Sequence, residues 1–163
     1  MFDVVVVYPL RESEGRLEVL LGEKRTGLGV GRVVGPGGKV EPGESHRRAA
    51  VRELHEEVGL VVEEDALIPI AQMSYPFLTR PHLSQRSRAF IVKDFLGTPS
   101  ASEELEPAWW SIDEIPFGRM WADAMLWLPQ ALNGHFQQAT ISIDDDDGVA
   151  SVEWEEGHAN GTF

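Results

Sequence analysis

The chain has no cysteine among its 163 residues. Disulfide staples, thiol nucleophiles and cysteine-ligated zinc are therefore excluded, and the fold must rest on a core of its own. A chain of this length can build one, since it buries roughly 70% of its unfolded surface. Basic residues are also scarce: 14 Lys and Arg stand against 27 Asp and Glu, for a net charge of -13. Binding to a nucleic-acid polymer depends on Lys and Arg neutralising phosphates, so no such partner is expected. A small phosphorylated ligand bridged by a divalent cation stays open. Long apolar runs are missing too. Residues 4–10 form the only one near the N-terminus, and Pro9 breaks it, Asp3 precedes it and no basic stretch leads into it. It reads as neither a signal peptide nor a membrane span, which makes the expected location cytoplasmic with no membrane partner. With 42% hydrophobic and 25% charged residues the composition is that of an ordinary globular protein, and the length favours one domain over residues 1–163.

What is present divides into strands, a glycine-dense passage and two helices. Val4 to Tyr8 is β-branched and continuous, as in a strand buried on both faces, and a polar turn at residues 11–15 leads to a second strand over residues 16–25. Residues 27–43 are so rich in glycine and proline that a long shaped loop is expected, around at most a short strand at Val33 and Val34. Residues 44–58 form the clearest helix: Ala50, Val51, Leu54 and Val58 share about 100° of arc at 3.6 residues per turn, and Gly59 stands at the C-cap. Strands are expected at residues 60–62, 68–77, 88–92 and 108–112. A second helix is expected over 123–132, with Met125, Leu128 and Leu132 on one stripe, followed by a hairpin of 139–143 and 149–154 around the acidic turn 144–148. No internal repeat occurs. The class is α+β, with an α/β/α arrangement around a mixed sheet.

The chemistry concentrates in one helix. Glu53, Glu56 and Glu57 lie at i, i+3 and i+4, so three carboxylates share one face beside the apolar arc. Like charges at these spacings cost roughly 0.2–0.5 kcal/mol each without a cation. Hard oxygen donors suit Mg²⁺, or Mn²⁺ in its place, either of which completes its shell with water and substrate phosphates. A glutamate-rich helix face taken alone is more often merely solvated. Here it follows a Gly35-Pro36-Gly37-Gly38 loop and carries Arg52 beside the first glutamate.

From Gly38 the sequence runs five residues to Glu44, seven more to Arg52, then Glu53-Leu54-His55-Glu56-Glu57-Val58-Gly59-Leu60. This spacing resembles the box of the Nudix hydrolases and meets each of its fixed positions. Further stretches, Gly22 to Arg25 with the loop 27–32, residues 97–110, and Ile115 to Trp121 with Asp123, are similar to the MutT-type members that hydrolyse oxidised purine nucleoside triphosphates such as 8-oxo-dGTP. The similarity weakens at both ends.

That resemblance implies a Mg²⁺-dependent pyrophosphohydrolase acting on a small nucleotide and releasing the monophosphate and pyrophosphate. It implies metal ligands at Glu53, Glu56, Glu57, the carbonyl of Gly37 and a distant carboxylate at Glu104, with Glu103 adjacent as the alternative. Spacing leaves Glu53, Glu56, Glu57 and Glu104 all able to reach the same metals, and relatives differ in which one is the general base; it is expected here on Glu57, then Glu53, with Arg52 taking a structural part in the catalytic set, paired with carboxylates such as Glu44. Lys24, Leu28, Val34, Gly37, Gly38, Tyr75, Trp121, Asp123 and Trp127 match the substrate-binding positions, where aromatics stack on the base and acids read its edge. Tyr75, Trp121 and Trp127 also suit plain core positions, and Asp123 also suits the N-cap of the second helix. The sequence departs from these relatives at Val34 and Ala124, where they carry polar readers of the purine edge. Another nucleotide substrate, such as ADP-ribose or a dinucleoside polyphosphate, and a non-catalytic binding module remain as rival readings. Asp144 to Asp147 reads as a solvated turn, Trp109 and Trp110 as opposite-facing strand residues with one nearer the cleft, and His46, His55, His82, His135 and His158 take no role. Monomer and dimer are both compatible with the sequence.

Overall fold

The computed structural model describes residues 1–155; His158 and the rest of 156–163 lie outside the described residues. Nine strands form a mixed sheet: β1 (Phe2–Ser13), β2 (Arg16–Lys24), β3 (Val33–Val34), β4 (Gly37–Lys39), β5 (Ile68–Tyr75), β6 (Gln85–Val92), β7 (Leu105–Ser111), β8 (Gln137–Ile143) and β9 (Val149–Trp154). The main path runs β3-β2-β1-β6-β5-β8-β9, with β4 paired to β1 and β7 to β2. The β1–β6 and β5–β8 pairs are parallel and the others antiparallel.

Helix α1 (His46–Val58) covers one face and α2 (Ala124–Leu132) packs on the other. The two-residue period of β1 sorts its side chains between them: Val5 and Val7 join the α1 side, while Val6, Tyr8 and Leu10 join the α2 side. Both faces of that strand are therefore covered, as its unbroken apolar run implies. Helix α1 starts at Ser45, whose hydroxyl accepts from the Arg48 N–H at 3.1 Å, and ends at Gly59 with φ 78°, a left-handed cap that donates to the carbonyl of His55. Leu54 and Val58 on its inner face are fully buried.

Several expectations need correction. The glycine passage does hold a regular element: β4 pairs with Val4 to Val6 of β1, and a side chain on Gly37 would run into the carbonyl of Val5. The strand exists because glycine permits that approach, which local propensity cannot show. Residues 60–62 form no strand, only an isolated bridge from Val61 to Leu96. Strand β1 runs on to Ser13 and β7 begins at Leu105, both longer than expected because they pair with β2. Helix α1 begins after Glu44, whose carboxylate is held by Arg52 instead. In α2 the buried stripe is Ala124, Trp127, Leu128 and Ala131, whereas Met125 is exposed. Trp109 and Trp110 do face opposite sides, but neither lines the cleft: Trp109 stacks on Phe95 and Trp110 packs on the α2 side.

Candidate active site

A cleft of about 230 Å³ opens on the α2 side of β1 and β6 and reaches from the β4 loop to α2. Its two ends differ in chemistry. One is formed by Gly37, Gly38, Lys24, Glu57 and Glu104, the other by Tyr8, Leu28, Val34, Tyr75, Trp121, Asp123 and Trp127. Of the residues singled out from the sequence, Lys24, Leu28, Val34, Gly37, Gly38, Glu57, Tyr75, Glu104, Trp121, Asp123 and Trp127 line this one cleft. Arg52, Glu53 and Glu56 do not. Glu53 lies directly behind Gly38, where a Cβ would come within 2.5 Å of its carboxyl group, so that glycine makes room for the acid. Glu56 is turned toward solvent. Glu104 is on the cleft wall and Glu103 is not.

Arg52 organises the acidic end. Its Nε and Nη2 donate to both oxygens of Glu44 at 2.8 Å, Nη2 also donates to the Lys39 carbonyl at 3.0 Å, and Nη1 reaches Glu53 at 2.8 Å and Glu56 at 3.2 Å. The guanidinium thus ties the β4 loop to α1, as the structural reading of Arg52 anticipates, and a forked donor is what such bidentate pairing needs. The hydrogen bonds from Arg52 hold Glu44 down at about 2. Glu57 has no such partner. Burial first, then the charge of Glu53, pushes it up to about 8, with Glu104 adding to the rise; the Gly37 N–H, which donates to it, and the charge of Lys24 oppose the shift. Burial also raises Glu53, against the pull of Arg52.

Those shifts, together with the donor set, test whether a divalent cation fits. Among the described residues no three acidic or histidine side chains already converge on one point. Yet the charges of Glu53 and Glu104 both raise Glu57 and that of Glu104 raises Glu53, and all three are hard oxygen donors beside a cleft whose described lining holds neither thiol nor imidazole. A cation would offset the repulsion among these crowded carboxylates, so the residues present fit one.

At the other end Asp123 is only 5% exposed. It occupies the residue before α2, but its side chain does not cap the helix. Its Oδ2 instead accepts from the Tyr75 hydroxyl at 2.8 Å and the Trp127 indole N–H at 2.9 Å. Burial, reinforced by Asp123, keeps the Tyr75 hydroxyl protonated well above the usual tyrosine range, and Tyr8 is raised for the same two reasons. Tyr8 packs edge-on against Trp127 with centroids 6.3 Å apart. Sequence reasoning passed over Tyr8 as strand filling, although Val4, Val6 and Tyr8 share one parity and all three line the cleft.

The fold, the glycine-lined acidic helix face and the aromatic pocket opposite it define a class, and residues 1–131 match the NUDIX domain model. The chain belongs to the Nudix family. The oxidized purine nucleoside triphosphate hydrolase of Danio rerio is 43% identical over 129 residues, covering 79% of this chain and 76% of that protein. Its namesake from Mus musculus is 39% identical over 153 residues, covering 91% and 88%. Among solved structures, the MutT protein of Bacillus halodurans superposes with a TM-score of 0.79 at 22% identity, over 97% of this chain and 100% of that one, which bears on the fold alone.

Proposed function

We propose that the protein is a Mg²⁺-dependent hydrolase of oxidised purine nucleoside triphosphates, 8-oxo-dGTP among them, that yields the monophosphate and pyrophosphate and so clears damaged nucleotides from the pool. Residues 1–163 are read as one domain, working on a small nucleotide in the cytoplasm; among the described residues no helix is long and apolar enough to cross a membrane. The observation that carries the reading is a single cleft with crowded carboxylates at one end and a buried acid among aromatics at the other. The relatives named for this activity support it.

Glu53, Glu56, Glu57, Glu104 and the Gly37 carbonyl would hold the metal. When bound, the cation, Mg²⁺ or Mn²⁺, neutralises phosphate oxygens and lowers the cost of forming hydroxide from water. The chain's own residues do the rest. Glu57, whose proton affinity burial and neighbouring acids raise, accepts the proton of the attacking water, with Glu53 the second choice. Lys24 adds positive charge on the phosphate side, and Arg52 fixes the β4 loop so that the glycines approach the substrate closely. Trp121, Trp127 and Leu28 enclose the base, Val34 packs against it, and Asp123 reads its edge.

The test is a turnover screen over oxidised, methylated and normal nucleoside triphosphates and ADP-ribose, with products identified. Monophosphate and pyrophosphate from purine triphosphates are expected. Cleavage of ADP-ribose alone would move the substrate to a sugar diphosphate, and no release from any triphosphate with Mg²⁺ would contradict catalysis.

A further inference from the structure

The acidic turn between β8 and β9 reaches the base end of the cleft through two arginines. Asp144 Oδ1 accepts from the backbone N–H groups of Asp146 and Gly148 at 2.9 and 2.8 Å, which shapes the turn. Asp147 follows with φ 61°, a left-handed conformation that asparagine and aspartate tolerate better than most residues. Its carboxylate does not simply meet solvent. Oδ1 takes a hydrogen bond from Arg80 Nη2, and Oδ2 lies 3.6 Å from Arg32 Nη2.

Each of those arginines covers one aromatic wall of the pocket. The Arg32 guanidinium sits 4.5 Å from the centroid of Trp121 and also donates to the Met120 carbonyl at 3.4 Å. The Arg80 guanidinium sits 5.3 Å from the centroid of Phe77 and donates to the Asp144 carbonyl at 3.3 Å. Phe77 and Trp121 both line the cleft and meet edge to face at 6.1 Å. One carboxylate therefore holds together two like-charged groups that would otherwise repel, and through them three segments distant in sequence. The Arg80 Nε is buried and unpaired among the described residues, so Arg80 has few other acceptors to turn to.

We infer that Asp147 is a positioning residue for the nucleobase: it clamps Arg32 over Trp121 and Arg80 over Phe77 and so fixes the aromatic walls of the pocket. The inference rests on the reading of this end as the base pocket. Its loss should weaken base binding without touching the chemistry at the carboxylate end.

The experiment uses Asp147→Asn, which removes the charge and keeps both size and turn conformation. With dGTP and 8-oxo-dGTP, KM should rise about threefold to tenfold with kcat within about twofold, as expected when only binding geometry loosens. Inhibition by inorganic pyrophosphate, which probes the phosphate side alone, should not change. The near-ultraviolet circular dichroism contributed by Trp121, defined by difference from Trp121→Phe, should shrink. Arg32→Gln should reproduce these effects, and combining it with Asp147→Asn should add little. Unchanged KM and spectrum in a folded Asp147→Asn protein would overturn the clamp, as would a KM rise matched by an equal loss of pyrophosphate inhibition. The spectral arm needs no substrate: a wild-type protein that turns over no purine triphosphate contradicts the proposed function, while the Trp121 signal still decides the clamp.

Discussion

The hydroxyl of Tyr75, on β5, donates to Oδ2 of Asp123 at 2.8 Å. The Trp127 indole uses the same oxygen, and Oδ1 carries no hydrogen bond among the described residues. An acid buried this deeply and fixed on one side keeps its second oxygen as a free acceptor, which the proposed function assigns to a donor on the base.

Removing that acceptor should be felt in recognition of the base. Asp123→Ala is expected to lower kcat/KM for purine triphosphates by about tenfold or more, in line with the loss of a strong hydrogen bond to an acidic group. Tyr75→Phe should lose less, because Trp127 still anchors the carboxyl. Steady-state kinetics on both variants checks the order; equal losses, or none for Asp123→Ala, would remove Asp123 from the pocket's reading of the base.

Base preference should be modest. Val34 can pack but cannot hydrogen-bond, and an apolar wall separates similar ligands by only about 10–200-fold. The ratio of kcat/KM for 8-oxo-dGTP over dGTP is expected in that range, and Val34→Asn with Ala124→Asp should widen it. A ratio of several thousandfold in the unaltered protein would show that other groups, Tyr8 first, supply the discrimination.

Arg52 should matter for stability more than any other exposed-face charge on α1. Arg52→Ala leaves Glu44 and Glu53 without their partner and is expected to cost about 2 kcal/mol in urea unfolding, the scale of a hydrogen-bonded charged group. Arg52→Lys should recover less than half of it, since an ammonium cannot bridge both Glu44 oxygens and the Lys39 carbonyl together. A cost below a few tenths of a kcal/mol would mean that the loop does not depend on this bridge.

The helix bearing the acids was legible in the sequence because its apolar arc, its glutamate spacing and Gly59 are all local signals. Strand β4 was not, since Gly37 and Gly38 become a strand only where Val5 and Glu53 crowd them. Asp123 sits where an N-cap belongs, and only the approach of Tyr75, 48 residues earlier, turns its side chain into the pocket. Asp147 looked like one acid in a solvated run because Arg80, its partner, is 67 residues away. Local patterns reveal elements and metal-type faces; partners brought by the sheet decide what a pocket side chain does.

The metal-free protein should become less stable as pH rises from about 4.5 to about 8. Glu57 is raised from 4.5 to about 8 in the folded state, so over that window the native protein binds more protons than the unfolded chain. Stability then falls with pH. Glu44, lowered to about 2, contributes below that window, where stability falls as pH drops from 4.5. Chemical denaturation across pH in chelator should show the decline, Glu57→Gln should flatten it, and Mg²⁺ should oppose it by binding the native state. A decline identical in Glu57→Gln would assign it to another group.

The most direct measurement is Mg²⁺-dependent turnover of 8-oxo-dGTP by Glu57→Gln beside the unaltered protein, with melting temperature recorded for both. A loss of about 10²–10⁴ in kcat is predicted, the worth of a positioned proton acceptor, with monophosphate and pyrophosphate as the wild-type products and no drop in the melting temperature of the metal-free protein. Turnover within threefold of wild type at saturating Mg²⁺ would contradict it.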